Sequence, residues 1–176
     1  IQAAQGEYSI HVDSDDWVEP DMLESLFQCA LTNNEDMVVC DFFQETQSGS
    51  HYVSQEITDT GNRRIYTHDI LCTHGSLSNK LIRHDLYSKF NIYIHESLKI
   101  CEDRFVVCSM ISHDIKITYL NKAFYHYDLH TSDTSIVRTF SVDTLMSEIS
   151  FISILESSSP DSYYKDQIDY SKAMCL

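Results

Sequence analysis

The chain has 176 residues, 43% of them hydrophobic and 22% charged, which suits one domain with a real core and excludes wholesale disorder. Its formal net charge of −15 works against binding nucleic acid or anionic lipid headgroups, and would repel a phosphorylated ligand unless a cation or basic patch intervened. No apolar run approaches the roughly 20 residues that span a bilayer, and no basic-then-apolar opening marks a secretory signal.

The chain opens at Ile1, and Ala3, Ala4 and Gly6 lead straight into a strand pattern, so it reads as a piece of a longer chain. Residues 7–12 place Tyr8, Ile10 and Val12 on one side, the period of a strand. Asp13, Asp15 and Asp16 follow at once. Pro20 then stands where a first helical residue is expected, with Asp21 and Glu24 in the first turn. Met22, Leu23, Leu26, Phe27, Ala30 and Leu31 give that helix an apolar face, and Asn33 and Asn34 are its stop signal. Residues 37–43 are almost continuously apolar, as in a strand buried on both faces. Strand, acidic loop, helix and strand make an α/β unit.

Residues 44–65 are polar, with a turn at Ser48, Gly49 and Ser50, and predict a hairpin or surface loop. Thr67 suits the cap of a short helix carrying Ile70 and Leu71. Residues 77–90 predict a brief strand and a helical turn. Residues 102–112 predict a helix that is apolar on most sides and therefore buried. Residues 115–120 alternate as a strand, and residues 122–127 form a second extended piece. From about residue 140 Leu145, Ile149, Ile152 and Leu155 form a helical stripe, which Ser157 to Pro160 interrupts. Its acidic residues Asp143, Glu148 and Glu156 favour packing on the domain over lying on a membrane. Six cysteines, at 29, 40, 72, 101, 108 and 175, include no C-x-x-C pair and are expected as reduced, mostly buried thiols of a cytoplasmic protein.

The acidic loop carries the most chemistry. At a strand end, residues two apart point the same way, so Asp13 and Asp15 can converge. Carboxylates that close destabilise each other unless a proton or cation lies between them. Mg²⁺ and Mn²⁺ favour oxygen ligands, and Mg²⁺ commonly takes one or two carboxylates plus substrate phosphates. Two plainer explanations compete: charge complementarity with the following helix, and a solvated acidic loop. A calcium loop of the EF-hand kind fails, because Trp17 and Val18 occupy positions that need other residues. Glu102 and Asp103 open the later helix, and a carboxylate there could serve as a general base or simply complement the helix dipole. His126 and His130 have metal-ligand spacing only on a helix, whereas their Tyr-rich surroundings predict a strand; they are read as incidental, as are His68 and His74. Trp17 and Tyr125 are candidates for stacking on a sugar.

The ordered run from Ala4 to Leu23, Ala-x-Gly-Glu-Tyr-x-x-x-Val-Asp-Ser-Asp-Asp-Trp-Val-x-Pro-Asp-Met-Leu, resembles the family 2 glycosyltransferases, a large bacterial group of nucleotide-sugar enzymes with the GT-A fold. The resemblance extends to Ser78-Asn79-Lys80-Leu81 with Arg83, Asp85 and Leu86, to Glu102-Asp103, and to Tyr125-His126-Tyr127 with Ser132 and Ser135. Asp128 departs from it, standing where relatives often carry a basic residue.

What the resemblance implies is an α/β chain forming the C-terminal part of a GT-A domain, a mixed sheet with flanking helices that lacks the N-terminal nucleotide-binding half. Residues 1–136 would be that partial domain and residues 137–176 a helical extension packed on it. Asp13 and Asp16 would lie at the nucleotide, Asp15 with Asp13 would hold Mg²⁺ or Mn²⁺, and Asp103, with Glu102 beside it, would be the catalytic base of an inverting transfer. The implied partners are a nucleotide-sugar donor and a saccharide acceptor, with no nucleic acid. The implied setting is the cytoplasm, peripheral to the inner membrane where polysaccharides are assembled. Sheet edges left by a missing half could be covered in a homodimer. The alternatives are a non-catalytic carbohydrate-binding or interaction remnant of such an enzyme, and an unrelated metal-binding α/β protein.

Overall fold

The computed structural model describes residues 3–55, 75–94, 98, 102–111, 113–130, 146 and 149–154. Its strands are β1 (Tyr8–Ser9), β2 (Trp17–Val18), β3 (Met37–Thr46), β4 (Gly49–Val53), β5 (Lys80–Arg83) and β6 (Ile117–Asp128). Its helices are α1 (Met22–Asn33), α2 (Asp85–Lys89) and α3 (Glu102–Ile111), and residues 149–154 are also helical. The expectations placed on Thr67, Ile70, Leu71, His68, His74, Ser132, Ser135, on Asp143, Leu145, Glu148, Leu155 and Glu156 of the C-terminal stripe, on Cys72, Cys101 and Cys175, and on residues 157–160 lie outside the described residues.

The six strands form one mixed sheet in the order β1-β5-β3-β6-β2, with β4 paired to β3 as a hairpin. β3 and β6 run parallel, and the other pairs are antiparallel. β3 is central because its side chains can be buried on both faces. Val38, Cys40 and Phe42 join Met22, Leu26 and Ala30 of α1 in one apolar layer. Met37 and Val39, pointing the other way, join Leu86 and Tyr87 of α2 and Phe105, Val106 and Met110 of α3 in the second. Phe151 and Ile152 are buried in this second layer, and the guanidinium of Arg104 lies 5.1 Å from the Phe151 ring.

Several expectations are refined. The first strand is two residues long, and Val12, three residues beyond it, is exposed. α1 begins at Met22, with Pro20 and Asp21 in the turn before it; Asn34 ends it in the left-handed conformation, which Asn tolerates well. Only Met22, Leu26 and Ala30 of its wide apolar face are fully buried, while Leu23, Phe27 and Leu31 are exposed. The two extended pieces at 115–120 and 122–127 are one strand, β6, interrupted by an irregularity where the β3 pairing passes from Cys40–Leu120 to Asp41–Ala123. On the C-terminal stripe Ile152 faces inward with Phe151, but Ile149 is exposed. Of the cysteines described, Cys40 and Cys108 are buried and Cys29 is half-buried, none of them in a disulfide.

Candidate active site

The acidic loop is a tight turn seated on β6. The Asp16 amide donates to the Asp13 carbonyl at 3.2 Å, and the Asp13 amide donates to the Tyr125 hydroxyl at 3.2 Å. The same hydroxyl donates to Asp16 Oδ2, while the Asp128 amide donates to Asp16 Oδ1 at 2.7 Å. Both Asp16 oxygens therefore hold the turn in place. This leaves Asp13 and Asp15 as the carboxylates presented outward, and it gives Asp16 a positioning duty. Burial, then the neighbouring Asp16 carboxylate, push the Tyr125 phenol well above its usual range, so it remains a neutral donor. Tyr125, 1% exposed, cannot offer its ring to a sugar. Tyr125→Phe removes the donor to Asp16 and the acceptor for Asp13, and is expected to lower stability by about 2 kcal/mol in denaturant unfolding.

Asp13 reports what surrounds the turn. Desolvation raises its carboxyl pKa, and the charges of Asp16, Asp103 and Asp15, in that order, raise it further, with His11 opposing them. Asp103 opens α3 far along the chain, so the first turn of α3 and the acidic loop share one electrostatic neighbourhood. Asp103 is itself anchored: its Oδ2 accepts from the Leu77 amide at 3.1 Å. The turn carrying Leu77 sits close on α3 because residue 75 is glycine; a Cβ there would meet Arg104 Cβ and Cγ at 2.7 Å. The Lys80 ammonium, 0% exposed, then ties this turn from beneath, donating to the Ser76 carbonyl at 2.6 Å and to Asn79 Oδ1 at 2.7 Å. Asn79 in turn donates to the Cys40 carbonyl of β3 at 2.7 Å. Glu102 stands half-buried beside Asp103 in the first turn of α3.

An Asp13 carboxyl raised by burial and by neighbouring negative charge fits a divalent cation. Among the described residues no group of three or more His, Cys, Asp or Glu side chains could hold a metal ion. A cation at Asp13 and Asp15 therefore needs oxygens from elsewhere, the arrangement Mg²⁺ adopts with substrate phosphates.

Three further features escaped the reading of the sequence. His126 is built in: its ring nitrogens lie 2.7 Å from Glu45 Oε1 and 3.1 Å from Glu19 Oε1, between the rings of Trp17 and Phe43. Burial pushes the Glu45 carboxyl up, but hydrogen bonds from His126 and Ser50 outweigh it and the net direction is down. Asp41, fully buried in β3, accepts from the Tyr52 hydroxyl, from the Gln55 amide at 2.7 Å and from the Tyr119 hydroxyl at 2.7 Å, fixing the β3–β4 hairpin. The alternation of β3 shows that Asp41 faces the sheet side opposite Cys40, but only the fold reveals the two tyrosines that satisfy it. Lys80 was visible in the Asn-Lys-Leu stretch, though nothing in the sequence marks it as buried.

Comparison with known proteins settles the family. The model described as glycosyl transferase family 2 matches residues 1–99, more than half of the chain. The chain belongs to glycosyl transferase family 2. It is 28% identical over 147 residues to EpsH of Bacillus subtilis, which is named as a glycosyltransferase, covering 80% of this chain and 42% of EpsH. It is 29% identical over 139 residues to the cholesterol galactosyltransferase of Borreliella burgdorferi, covering 71% of this chain and 38% of that one. The chain thus spans about two fifths of the length of these relatives. Among solved structures, S. aureus TarS 1–349 in complex with UDP-GlcNAc superposes with a TM-score of 0.70 at 20% identity, over 95% of this chain and 48% of TarS 1–349. The shared architecture is the expected one, a mixed GT-A-type sheet with flanking helices. Among the described residues no helix is long and apolar enough to cross a membrane.

Proposed function

We propose that this chain carries the metal-side and acceptor-side residues of an inverting sugar transfer from a nucleoside diphosphate to a hydroxyl acceptor. Family membership supports the reaction class, and the UDP-GlcNAc complex of TarS supports a nucleotide-sugar donor on this fold. What supports the assignment of residues is the raised Asp13 carboxyl, to which the Asp103 charge contributes after burial and Asp16. In this reading the two carboxylate groups of the sequence belong to one candidate site.

In this reading Asp103, held by the Leu77 amide through Oδ2, takes the proton of the acceptor hydroxyl. The hydroxyl oxygen forms a bond to the anomeric carbon as the bond from that carbon to the diphosphate breaks, and configuration inverts. Asp13 and Asp15 would hold a divalent cation, and Asp16 fixes the turn that carries them through Tyr125 and the Asp128 amide. When bound, Mg²⁺ or Mn²⁺ supplies positive charge to the departing nucleoside diphosphate. Without that cation, a chain of net charge −15 repels the donor.

Isothermal titration with UDP-GlcNAc in the presence of Mn²⁺ tests the proposal. Saturable binding that disappears with EDTA and in Asp15→Ala supports it. Absence of heat at millimolar ligand defeats it and favours the non-catalytic remnant.

A further inference from the structure

Trp17 is placed unusually for a large aromatic side chain. It follows the acidic turn directly, in β2, and pairs with His126 of β6. One indole face stacks on the His126 ring, with centroids 5.1 Å apart and planes 11° from parallel. His126 stacks in turn on Phe43 at 4.7 Å and 21°, and Phe43 meets Tyr52 edge-on at 5.6 Å. Glu45 and Glu19 hold the two nitrogens of the His126 ring. Trp17 is nevertheless 47% exposed. Because one face is covered, that exposure belongs mainly to the opposite face. The result is a flat apolar plate, backed by a fixed ring and fixed in turn by two carboxylates.

We propose that the open face of Trp17 is a subsite for a pyranose ring of the saccharide acceptor; this rests on the transferase reading above and names its acceptor side. A pyranose presents a face of C–H bonds that packs on an aromatic plane while its hydroxyls donate to groups at the rim. Carboxylates that can accept flank Trp17 along the chain: Glu19, with its side chain 43% exposed, and the exposed Asp15, each two residues away. Two residues of extended chain span at most about 7 Å between Cα atoms, which keeps Trp17 next to the acidic turn. The surrounding charge selects among flat ligands. Asp15, Asp16 and Glu19 repel a nucleotide that brings no cation, but they do not repel a neutral sugar.

Trp17 is the single tryptophan of the chain, so its fluorescence reads this site alone. Methyl β-glucoside, methyl β-galactoside and N-acetylglucosamine, each titrated to millimolar concentration, are the probes, with UDP in EDTA as the control. The expected result is a saturable change in Trp17 emission with at least one pyranoside and none with UDP. Saturation-transfer NMR with the same sugar is expected to show contact in Trp17→Phe and loss of contact in Trp17→Ala. His126→Ala, which leaves the indole without its backing, is expected to weaken binding about tenfold. No saturable response to any pyranoside, or an equal response to UDP, overturns the proposal. Silence of Trp17 while UDP-GlcNAc and Mn²⁺ bind by titration calorimetry defeats this subsite alone. A sugar response with no nucleotide-sugar binding instead keeps the subsite and defeats the transferase reading.

Discussion

Under the proposed function, Asp103→Asn is expected to lower the rate of sugar transfer by about 10²–10⁴-fold, the range for loss of a general base, while nucleotide-sugar binding persists. The substitution separates chemistry from architecture. Asparagine keeps an oxygen able to accept from the Leu77 amide, the bond that anchors Asp103 at 3.1 Å, so the turn from Gly75 to Lys80 stays on α3. What it loses is the negative charge and the capacity to take a proton. A loss of transfer accompanied by an equal loss of stability would instead make Asp103 a structural anchor. A second readout needs no turnover. The Asp103 charge is one of the influences that raise the Asp13 carboxyl, after burial and Asp16. Removing it should let Asp13 ionise at lower pH, measurable by NMR titration of the carboxyl in metal-free buffer. An unchanged Asp13 titration would mean that the two groups do not share a cleft.

What the sequence made legible follows from how local each signal is. β3 could be read because a strand buried on both faces must be apolar at successive positions, and Met37 to Cys40 are. The end of α1 could be read because Asn34 is one of the few residue types that accept the left-handed cap. The packed half of α1 could not. Leu23, Phe27 and Leu31 are as apolar as Met22 and Leu26, and only the position of β3 and β6 beneath the helix decides which row is covered. The apparent gap near Asn121 in β6 was a real signal wrongly divided. The polar pair Asn121 and Lys122 marks the irregularity in the β3–β6 register, and Lys122 uses it to reach Asp21 at 2.6 Å.

The carboxylates of the candidate site were legible as residue types in a known order, because the Asp-Ser-Asp-Asp run and the Glu-Asp pair are contiguous. Their supports were not. Tyr125 and Asp16 are more than a hundred positions apart, and His126 meets Glu19 and Glu45 only once three strands are side by side. A histidine read as incidental from its spacing therefore became the backing of Trp17. Long-range hydrogen bonds leave no periodic trace, so this part of a site has to be read from the fold.

Lys80 gives the clearest pH dependence. Burial lowers its ammonium pKa from 10.5 to about 8, against the opposing influence of Cys40, Asp103 and Cys108. Between those two values the unfolded chain binds the proton that the folded chain has released, so stability rises with pH across the interval. Below pH 8 both states are protonated and the contribution is flat; the penalty of burying the charge is then present in full. Relative to Lys80→Met, the wild-type chain is expected to gain on the order of 3 kcal/mol between about pH 8 and pH 10.5. Urea unfolding of the two proteins across that range measures the difference directly, because other groups that titrate there are common to both. Lys80→Met also strands the Ser76 carbonyl and Asn79 Oδ1, each an acceptor now satisfied by Nζ, at about 1–3 kcal/mol apiece. At neutral pH that loss opposes the relief of removing a buried charge, so the net stability change there is smaller than the change in slope. Parallel curves for the two proteins would show that the ammonium is hydrated in solution. Such a result would loosen the whole path from Lys80 through Ser76 and Leu77 to Asp103, and with it the account of how that carboxylate is held.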